Sequence, residues 1–124
     1  KGHNLCINYH KQKDKADWLV EQLQTQGVKA IAVQADVSQE QQVVDLFNTI
    51  DERLGPLTGL VNNAGILLPQ MPVEQIDAER INRLLTTNVT SYFLCCREAI
   101  KRMALKHGGH GGAIICSGQI GVCF

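Results

Sequence analysis

The sequence predicts an α/β domain that is built on a parallel sheet. Short apolar segments with the length of β-strands alternate along the chain with longer segments whose apolar residues recur at helical spacing. This alternation is typical of a parallel sheet, because right-handed crossover helices connect its strands and cover its faces. The 124 residues, 44% of them apolar, show no repeat and no linker, so residues 1–124 are expected to form one globular domain.

The first quarter of the chain has the pattern of a strand, a helix and a second strand. Leu5–Tyr9 is apolar and short, which predicts a strand. Residues 13–26 have apolar side chains on one helical face, and Gly27 then ends the predicted helix. Residues 28–33 are predicted to form the second strand of the sheet.

The next segment predicts another helix followed by a third strand. Ser38, with Gln41 three residues later, has the form of a capping box that would begin this helix. Gly55 and Pro56 end it, and residues 57–61 form the predicted strand. The expected buried stripe of the helix consists of Val43, Leu46, Phe47, Ile50 and Leu54.

The second half of the chain predicts two helices and a last strand. Residues 73–85 and 87–106 are expected to be helical, and the glycine-rich residues 108–112 are expected to form a flexible hinge. Ala113–Cys116 is the fourth predicted strand. The expected packing face of the longer helix consists of Val89, Tyr92, Phe93, Cys96, Ala99, Ile100 and Met103.

Composition argues against several classes of protein. Twelve basic and twelve acidic residues leave no net charge that would attract nucleic acid or an anionic membrane, so neither partner is expected. No apolar segment has the roughly 20 residues needed to span a bilayer, and the polar start of the sequence lacks a signal-peptide core, so a cytoplasmic location is the default expectation unless a targeting segment precedes Lys1. Five cysteines without a Cys-x-x-Cys pair are expected to be reduced thiols, and His107 and His110 are not expected to bind metal.

The most informative segment is Leu60-Val61-Asn62-Asn63-Ala64-Gly65, an apolar strand that stops in two amides and two very small residues. Ligands of open parallel sheets bind beyond the carboxyl ends of the strands, and a nucleotide approaches backbone closely only where side chains are small. This segment therefore predicts a nucleotide-binding edge.

Three motifs resemble the short-chain dehydrogenases/reductases. Ala35-Asp36-Val37, Asn62-Asn63-Ala64-Gly65 and Asn88-Val89 stand in the order and at about the spacing of that family. The resemblance covers nearly all of the chain up to Ile115. It implies a Rossmann-type, doubly wound parallel sheet in which the four predicted strands correspond to strands two to five.

The resemblance also implies contacts with the adenosine half of a nicotinamide cofactor. Asp36 would accept a hydrogen bond from the adenine amino group, and the backbone of Val37 would touch the same ring. Asn62, Ala64 and Gly65 would lie along the ribose and pyrophosphate. Considered from the residues alone, Asp36 is equally a turn-capping carboxylate.

The end of the first strand bears on the choice of cofactor. In the family, an acidic residue at this position binds the ribose 2′-hydroxyl of NAD. Here Tyr9 and Lys11 stand at the strand end without a carboxylate, and Lys11 could pair with a phosphate. We therefore expect NADP to be preferred, with NAD as the alternative.

Two further residues correspond to catalytic positions of the family. Asn88 would support a proton relay, although a hydrogen bond from its side chain to backbone would equally satisfy a buried amide. Ser117 is the nearest match to the serine that orients substrate, yet Cys116-Ser117-Gly118-Gln119 departs from the usual double serine. Ser117 alone could simply be a hydroxyl at a strand end.

The resemblance predicts that this chain is the interior of a longer oxidoreductase that transfers a hydride between a nicotinamide cofactor and a small carbonyl compound or secondary alcohol. The glycine-rich turn and the Tyr-x-x-x-Lys pair of the family are not in the sequence, so the chain alone is expected to be inactive, and the intact protein a homo-oligomer. Without the family's central first strand, strands two and four should either pair with each other or leave a marginally stable gap. The alternative function is a non-catalytic nucleotide-sensing or interaction module of the same descent.

Overall fold

The computed structural model describes residues 3–117 as four strands, four α-helices and three short helical turns. In chain order these are β1 Leu5–Tyr9, α1 Lys13–Thr25, β2 Ala30–Gln34, α2 Glu40–Leu54, β3 Gly59–Asn62, a 3₁₀ turn Val73–Gln75, α3 Ala78–Leu85, a π-helical turn Thr86–Thr90, α4 Ser91–Met103, a 3₁₀ turn Leu105–His107 and β4 Ala113–Cys116.

The four strands form two parallel pairs. β1 pairs with β2, with Leu5 opposite Ala30, and β3 pairs with β4, with Gly59 opposite Ala113. Both pairs are joined through crossover helices, as parallel strands require. The α/β prediction is confirmed: the chain has an incomplete Rossmann-type fold.

A cleft of about 1030 Å³ separates the two strand pairs and is lined by residues of both β1 and β3. Within residues 3–117 these two strands are not hydrogen-bonded to each other, so of the two outcomes expected, pairing or a gap, the structure has the gap. Cys6 of β1 and Leu60 of β3 each pack against the same core, so side-chain contacts connect the two strand pairs.

The core lies between α2, α4 and the face of the strands that these two helices cover. Phe47 of α2 is only 1% exposed, and the guanidinium of Arg102 on α4 lies 5.3 Å from the centre of its ring. Such a cation–π contact adds to the apolar burial that holds the two helices together. The buried core cluster consists of Ala35, Val43, Leu46, Phe47, Ile50, Cys95, Ala99 and Met103.

A buried carboxylate lies on α4 next to this core. Glu98 is 3% exposed and forms ion pairs with Lys101 at 3.1 Å, Arg97 at 3.0 Å and Arg102 at 3.2 Å. Burial by itself would raise the pKa of Glu98, but the hydrogen bonds from the three cations outweigh it and hold the pKa below the ordinary value of 4.5. Glu98 is therefore a charged structural residue.

Two helix starts differ from the sequence prediction. The capping box is wrong, because α2 begins at Glu40, and Ser38 instead donates to the carboxylate of Asp36. The predicted helix 73–85 is divided, since Asp77 accepts a hydrogen bond from the backbone of Arg80 and begins α3 there. In both cases an aspartate fixes the local turn.

The packing face of α4 is also displaced from the predicted one. Cys95, not Cys96, lies in the core at 5% exposure. Phe93 is 74% exposed, and Val89 and Ile100 are exposed as well. The long helix predicted for 87–106 contains a π-turn at Thr86–Thr90, which rotates the following residues relative to a continuous α-helix.

The glycine-rich segment is a closely packed turn, in contrast to the predicted hinge. A Cβ at Gly112 would lie 2.4 Å from both the Met103 sulfur and the Thr58 carbonyl oxygen. The Gly111 amide donates to the Met103 carbonyl at 2.8 Å. Glycine is needed here because two backbone segments approach each other too closely for any side chain.

Replacement of Gly112 by alanine should lower the free energy of unfolding by about 1–3 kcal/mol, because the added methyl group must displace backbone. Urea denaturation followed by circular dichroism measures the effect. Gly59→Ala is the control, since a Cβ at Gly59 meets its nearest neighbour at 3.8 Å, an ordinary contact. Equal effects of the two substitutions would contradict the packing argument.

Candidate cofactor site

The carboxyl ends of β1 and β2 are fixed to one another by backbone and amide hydrogen bonds. The Ala35 amide donates to the Tyr9 carbonyl at 2.9 Å, and the side chain of Asn8 donates to the carbonyls of Val33 and Ala35 at 3.2 and 3.1 Å. These bonds position Asp36 directly beyond the end of β1.

The Asp36 carboxylate is part of a tight turn. It accepts hydrogen bonds from the Ser38 hydroxyl at 2.6 Å and the Ser38 amide at 3.0 Å. Burial alone would raise the pKa of Asp36, but these bonds and the nearby His10 and Lys11 outweigh it and lower the pKa below the ordinary 3.8. Asp36 thus has the turn-capping role that the residues alone allowed, and its second oxygen lies 3.7 Å from His10 Nε2.

Tyr9 and Lys11 lie at the same strand end. Lys11 is exposed, and its charge is close enough to Asp36 to contribute to the lowered pKa of that carboxyl. The structure therefore places a lysine beside the carboxylate at which the resemblance would place adenine.

Asn62, the last residue of β3, is buried, whereas the next amide, Asn63, is exposed. Asn62 is only 5% exposed, and its side-chain nitrogen contacts the sulfurs of Cys96 at 3.3 Å and Cys116 at 3.5 Å. Asn63, Ala64 and Gly65 are exposed. The open edge after β3 is consequently formed by residues 63–65, with Asn62 supporting it from below.

Asn88 fixes the chain immediately beyond this edge. Its Oδ1 accepts from the Ile66 amide at 2.7 Å, and its Nδ2 donates to the Ile66 carbonyl at 2.9 Å. A Cβ on Gly65 would lie 3.4 Å from the same Oδ1, so the segment passes close to the π-turn that carries Asn88. The Asn88 side chain thus forms hydrogen bonds to backbone, which was the alternative to the proton relay that the resemblance implies.

Ser117 is held at the end of β4 through its backbone. Its amide donates to the Asn62 carbonyl at 2.8 Å, and its carbonyl accepts from the Tyr92 hydroxyl at 2.5 Å. Gly118 and Gln119, the other two residues compared with the serine position of the family, lie outside the described residues.

One cleft brings several of these residues together. Val37 from the end of β2 and Asn62, Asn63 and Ala64 from the end of β3 line the same 1030 Å³ cleft. Gly65, Asn88 and Ser117 continue the edge through the hydrogen bonds just described. Tyr9, Lys11 and Asp36 lie beside the cleft, at the end of the neighbouring strand pair.

The sequence interpretation missed three residues that support this edge: Tyr92, Cys96 and Cys116. Asn88, Tyr92 and Cys96 follow one another at intervals of four, so they share one side of the helical segment. That spacing, together with a thiol at the end of β4, was the signal that could have indicated them.

Within the described residues 3–117, no group of three histidine, cysteine, aspartate or glutamate side chains is arranged to bind a metal ion. Across the same part of the chain, none of the helices combines the length and the apolar character that crossing a bilayer demands.

The sequence matches a family model described as short chain dehydrogenase, over residues 1–121. The chain is a member of the short-chain dehydrogenase family. The resemblance inferred from the three motifs is thereby confirmed.

Individual short-chain dehydrogenases show how much of the family fold is present. The chain is 54% identical over 115 residues to the uncharacterized oxidoreductase YgfF of Escherichia coli strain K12, covering 93% of this chain and 47% of that protein. The chain thus spans about half the length of that relative.

Two solved short-chain dehydrogenase structures are similar to this fold. The enzyme of Serratia marcescens BCRC 10948 superimposes with a TM-score of 0.80 and 26% identity, over 91% of this chain and 44% of its own. A Burkholderia cenocepacia short-chain dehydrogenase in complex with NADP gives a TM-score of 0.74 and 28% identity, over 80% and 40% of the two chains.

Replacing Asn88 with alanine should loosen the segment after Gly65, because both backbone groups of Ile66 lose their partner. Loss of such hydrogen bonds costs about 1–3 kcal/mol, which corresponds to a roughly 5- to 150-fold faster hydrogen exchange at the Ile66 amide. Asn88→Asp keeps the acceptor for that amide and should retain most of its protection. Unchanged exchange in both variants would contradict the assigned contact.

Proposed function

We propose that residues 1–124 are part of the nicotinamide-binding domain of an NADP-preferring oxidoreductase that acts on a small carbonyl compound or secondary alcohol. Membership of the short-chain dehydrogenases supports the class of reaction. The reduced state expected for the cysteines supports a cytoplasmic location.

The observation that carries this proposal is the shared cleft. Val37 beyond the end of β2 and Ala64 beyond the end of β3 come from sequence motifs 27 residues apart, yet both lie at the margin of the cleft between β1 and β3 that is nearest the carboxyl ends of the strands. This is the position at which open parallel sheets bind nucleotides. The small residues Ala64 and Gly65 leave backbone accessible to a flat ring.

The charges at the end of β1 fit the adenosine half of a phosphorylated cofactor. Lys11 is exposed beside Asp36, and no carboxylate occupies the end of β1 itself. A 2′-phosphate there would meet the lysine, whereas the Asp36 carboxylate remains available for an amino group. When bound, the cofactor would supply or accept the hydride.

We propose that Asn88 positions backbone and that Ser117 contacts substrate. Asn88 positions the edge after Gly65 through Ile66, so we assign it as a positioning residue. Ser117 lies at the end of β4, and its exposed hydroxyl could orient a substrate oxygen. Proton transfer between substrate and protein would need groups that this sequence does not supply.

The cofactor preference is tested in the longer protein that contains this chain. Lys11→Glu should weaken NADP binding about tenfold or more, because a favourable charge contact becomes a repulsive one, and should leave NAD binding nearly unchanged. Lys15→Glu, an equally exposed charge reversal on α1, is the control. Equal losses for both cofactors in the Lys11 variant would overturn the assignment of NADP.

The isolated chain should bind NADPH with negligible affinity, since the cleft between β1 and β3 is open and half of the cofactor would be uncovered. Titration monitored by the fluorescence of Trp18, the single tryptophan, measures this. Tight and saturable binding would show that the site is complete without any further segment.

A second candidate is a non-catalytic nucleotide-sensing or interaction module. The sequence Cys116-Ser117-Gly118-Gln119 favours it, because the double serine typical of the family is not retained. Saturable NADP binding without turnover of carbonyl compounds, in the longer protein, would support this candidate over the enzyme.

The exposed apolar face of α4 supports self-association of the intact protein. Val89, Phe93 and Ile100 lie at intervals that place them on one side of the helical segment, and all three are at least 44% exposed. We therefore propose a homo-oligomer that uses this face, which sedimentation of the intact protein with and without Phe93→Glu would test.

A further inference from the structure

Two thiols from different parts of the fold meet beneath the candidate cofactor edge. Cys96 lies on α4 and Cys116 ends β4. The single side-chain nitrogen of Asn62 lies 3.3 Å from the Cys96 sulfur and 3.5 Å from the Cys116 sulfur. Both sulfurs thus contact the same nitrogen atom. They are therefore close neighbours, although 20 residues separate them in sequence.

The other described cysteines have no such arrangement. Cys95 precedes Cys96 on α4 but points into the core at 5% exposure, and burial raises its pKa to about 11. Cys6 of β1 likewise has its pKa raised to about 11, mainly by burial. Burial also raises the pKa of the Cys96 thiol, so the contrast is one of access: Cys116 is exposed and Cys96 is partly accessible. A small oxidant can reach the Cys96–Cys116 pair from solvent.

We propose that Cys96 and Cys116 are a modification site, at which a peroxide or a low-molecular-weight disulfide oxidises the two thiols to a reversible disulfide. The new bond would connect α4 to the end of β4. The inference rests on the positions of the sulfurs and does not depend on the proposed oxidoreductase function.

The reaction balances with either oxidant. The two thiols together lose two electrons and two protons and form one sulfur–sulfur bond. Hydrogen peroxide accepts both electrons and both protons and leaves as two water molecules. A low-molecular-weight disulfide is instead reduced to two thiols, through a mixed disulfide that the second cysteine resolves. Because both sulfurs contact the one Asn62 side-chain nitrogen, they are near enough for that second step to occur without unfolding.

The bond would act on the cofactor edge through Asn62. The buried amide of Asn62 uses both thiol sulfurs as partners, and its backbone carbonyl accepts from Ser117. Oxidation brings the two sulfurs within bonding distance of each other. The side-chain amide of Asn62 then loses the two thiols as hydrogen-bond partners. The redox state of the pair is thus transmitted to the start of Asn62-Asn63-Ala64-Gly65.

Mass spectrometry of the full 124-residue chain tests the proposal. A Cys95→Ser/Cys123→Ser double variant leaves Cys6, Cys96 and Cys116 as the remaining cysteines. Treatment with hydrogen peroxide at about pH 8, where thiolates form more readily, should lower the intact mass by about two units. Trypsin without reductant should then release peptides 84–97 and 107–124 as one disulfide-linked species, which dithiothreitol separates.

Two further substitutions show which cysteines form the disulfide. Adding Cys96→Ser to the double variant should abolish the linked species, whereas adding Cys6→Ser should leave it unchanged. Since the linkage is read in the double variant itself, the test does not depend on the folding of the triple variants. Independent oxidation of Cys116 to a sulfinic acid with Cys96 still a free thiol, or linkage to Cys6, would overturn the proposal.

Discussion

Replacing Phe47 with alanine is expected to lower the free energy of unfolding by about 3–5 kcal/mol, the largest single effect in this chain. The ring is 1% exposed, lies in the core between α2 and α4, and has Arg102 against its face at 5.3 Å. Truncation removes apolar contacts, leaves a cavity and removes the ring over which the Arg102 guanidinium lies. Because small domains have about 5–15 kcal/mol of stability in total, the variant should be largely unfolded at moderate urea concentrations.

Phe93→Ala provides the matched control for this experiment. Phe93 is a phenylalanine on α4 that is 74% exposed, so its loss should change stability by about 0.5 kcal/mol or less. Urea titration of both variants, monitored by far-ultraviolet circular dichroism, compares the two directly. Similar midpoints for the two variants would show that Phe47 is not central to the core.

Replacing Glu98 with glutamine is expected to produce the second large effect, a loss of about 2–3 kcal/mol at neutral pH. Removing one partner of a buried ion pair leaves uncompensated charge, and Arg97, Lys101 and Arg102 all converge on this carboxylate. We expect the loss of stability to be nearer about 2 than 3 kcal/mol, because Arg97 and Lys101 are partly exposed to solvent, which weakens their ion pairs with Glu98.

The effect of Glu98 should depend on pH in a definite direction. Its pKa in the folded chain lies below the ordinary 4.5, so its contribution is complete above about pH 5 and is lost as the pH falls through the folded pKa. The difference in stability between the original chain and Glu98→Gln should therefore shrink on acidification below 4.5. Glu52→Gln, an exposed carboxylate on α2, serves as the control, and a difference that widened in acid would contradict the assigned contacts.

The strand pattern could be predicted from the sequence because it depends on local composition. β1 and β4 have the bounds that were predicted, and the four buried residues of α2 were identified by their spacing. The three motifs indicated the family and placed Val37 and Ala64 at one edge. These features could be predicted because they depend on the spacing of apolar residues and on short motifs, both of which are local in the sequence.

The features that could not be predicted depend on contacts between distant segments. The inward position of Asn62 is set by two thiols, one from α4 and one from β4. Cys95 instead of Cys96 enters the core, and the π-turn at Thr86–Thr90 interrupts the predicted helix without a local sequence signal. Likewise, Gly112 is adjacent to Thr58 and Met103 only after β3 and β4 have paired.

Since each sheet has only two members, every strand in residues 3–117 has one side whose amides and carbonyls find no neighbouring strand. Such borders are templates onto which further strands can add. Cohesion between the two halves of the molecule therefore depends on side chains of α2 and α4 and not on a continuous ladder of backbone bonds. Concentrated solutions of the isolated chain should accordingly form extended β-rich assemblies, because the unpaired strand edges of one copy can form hydrogen bonds with those of another.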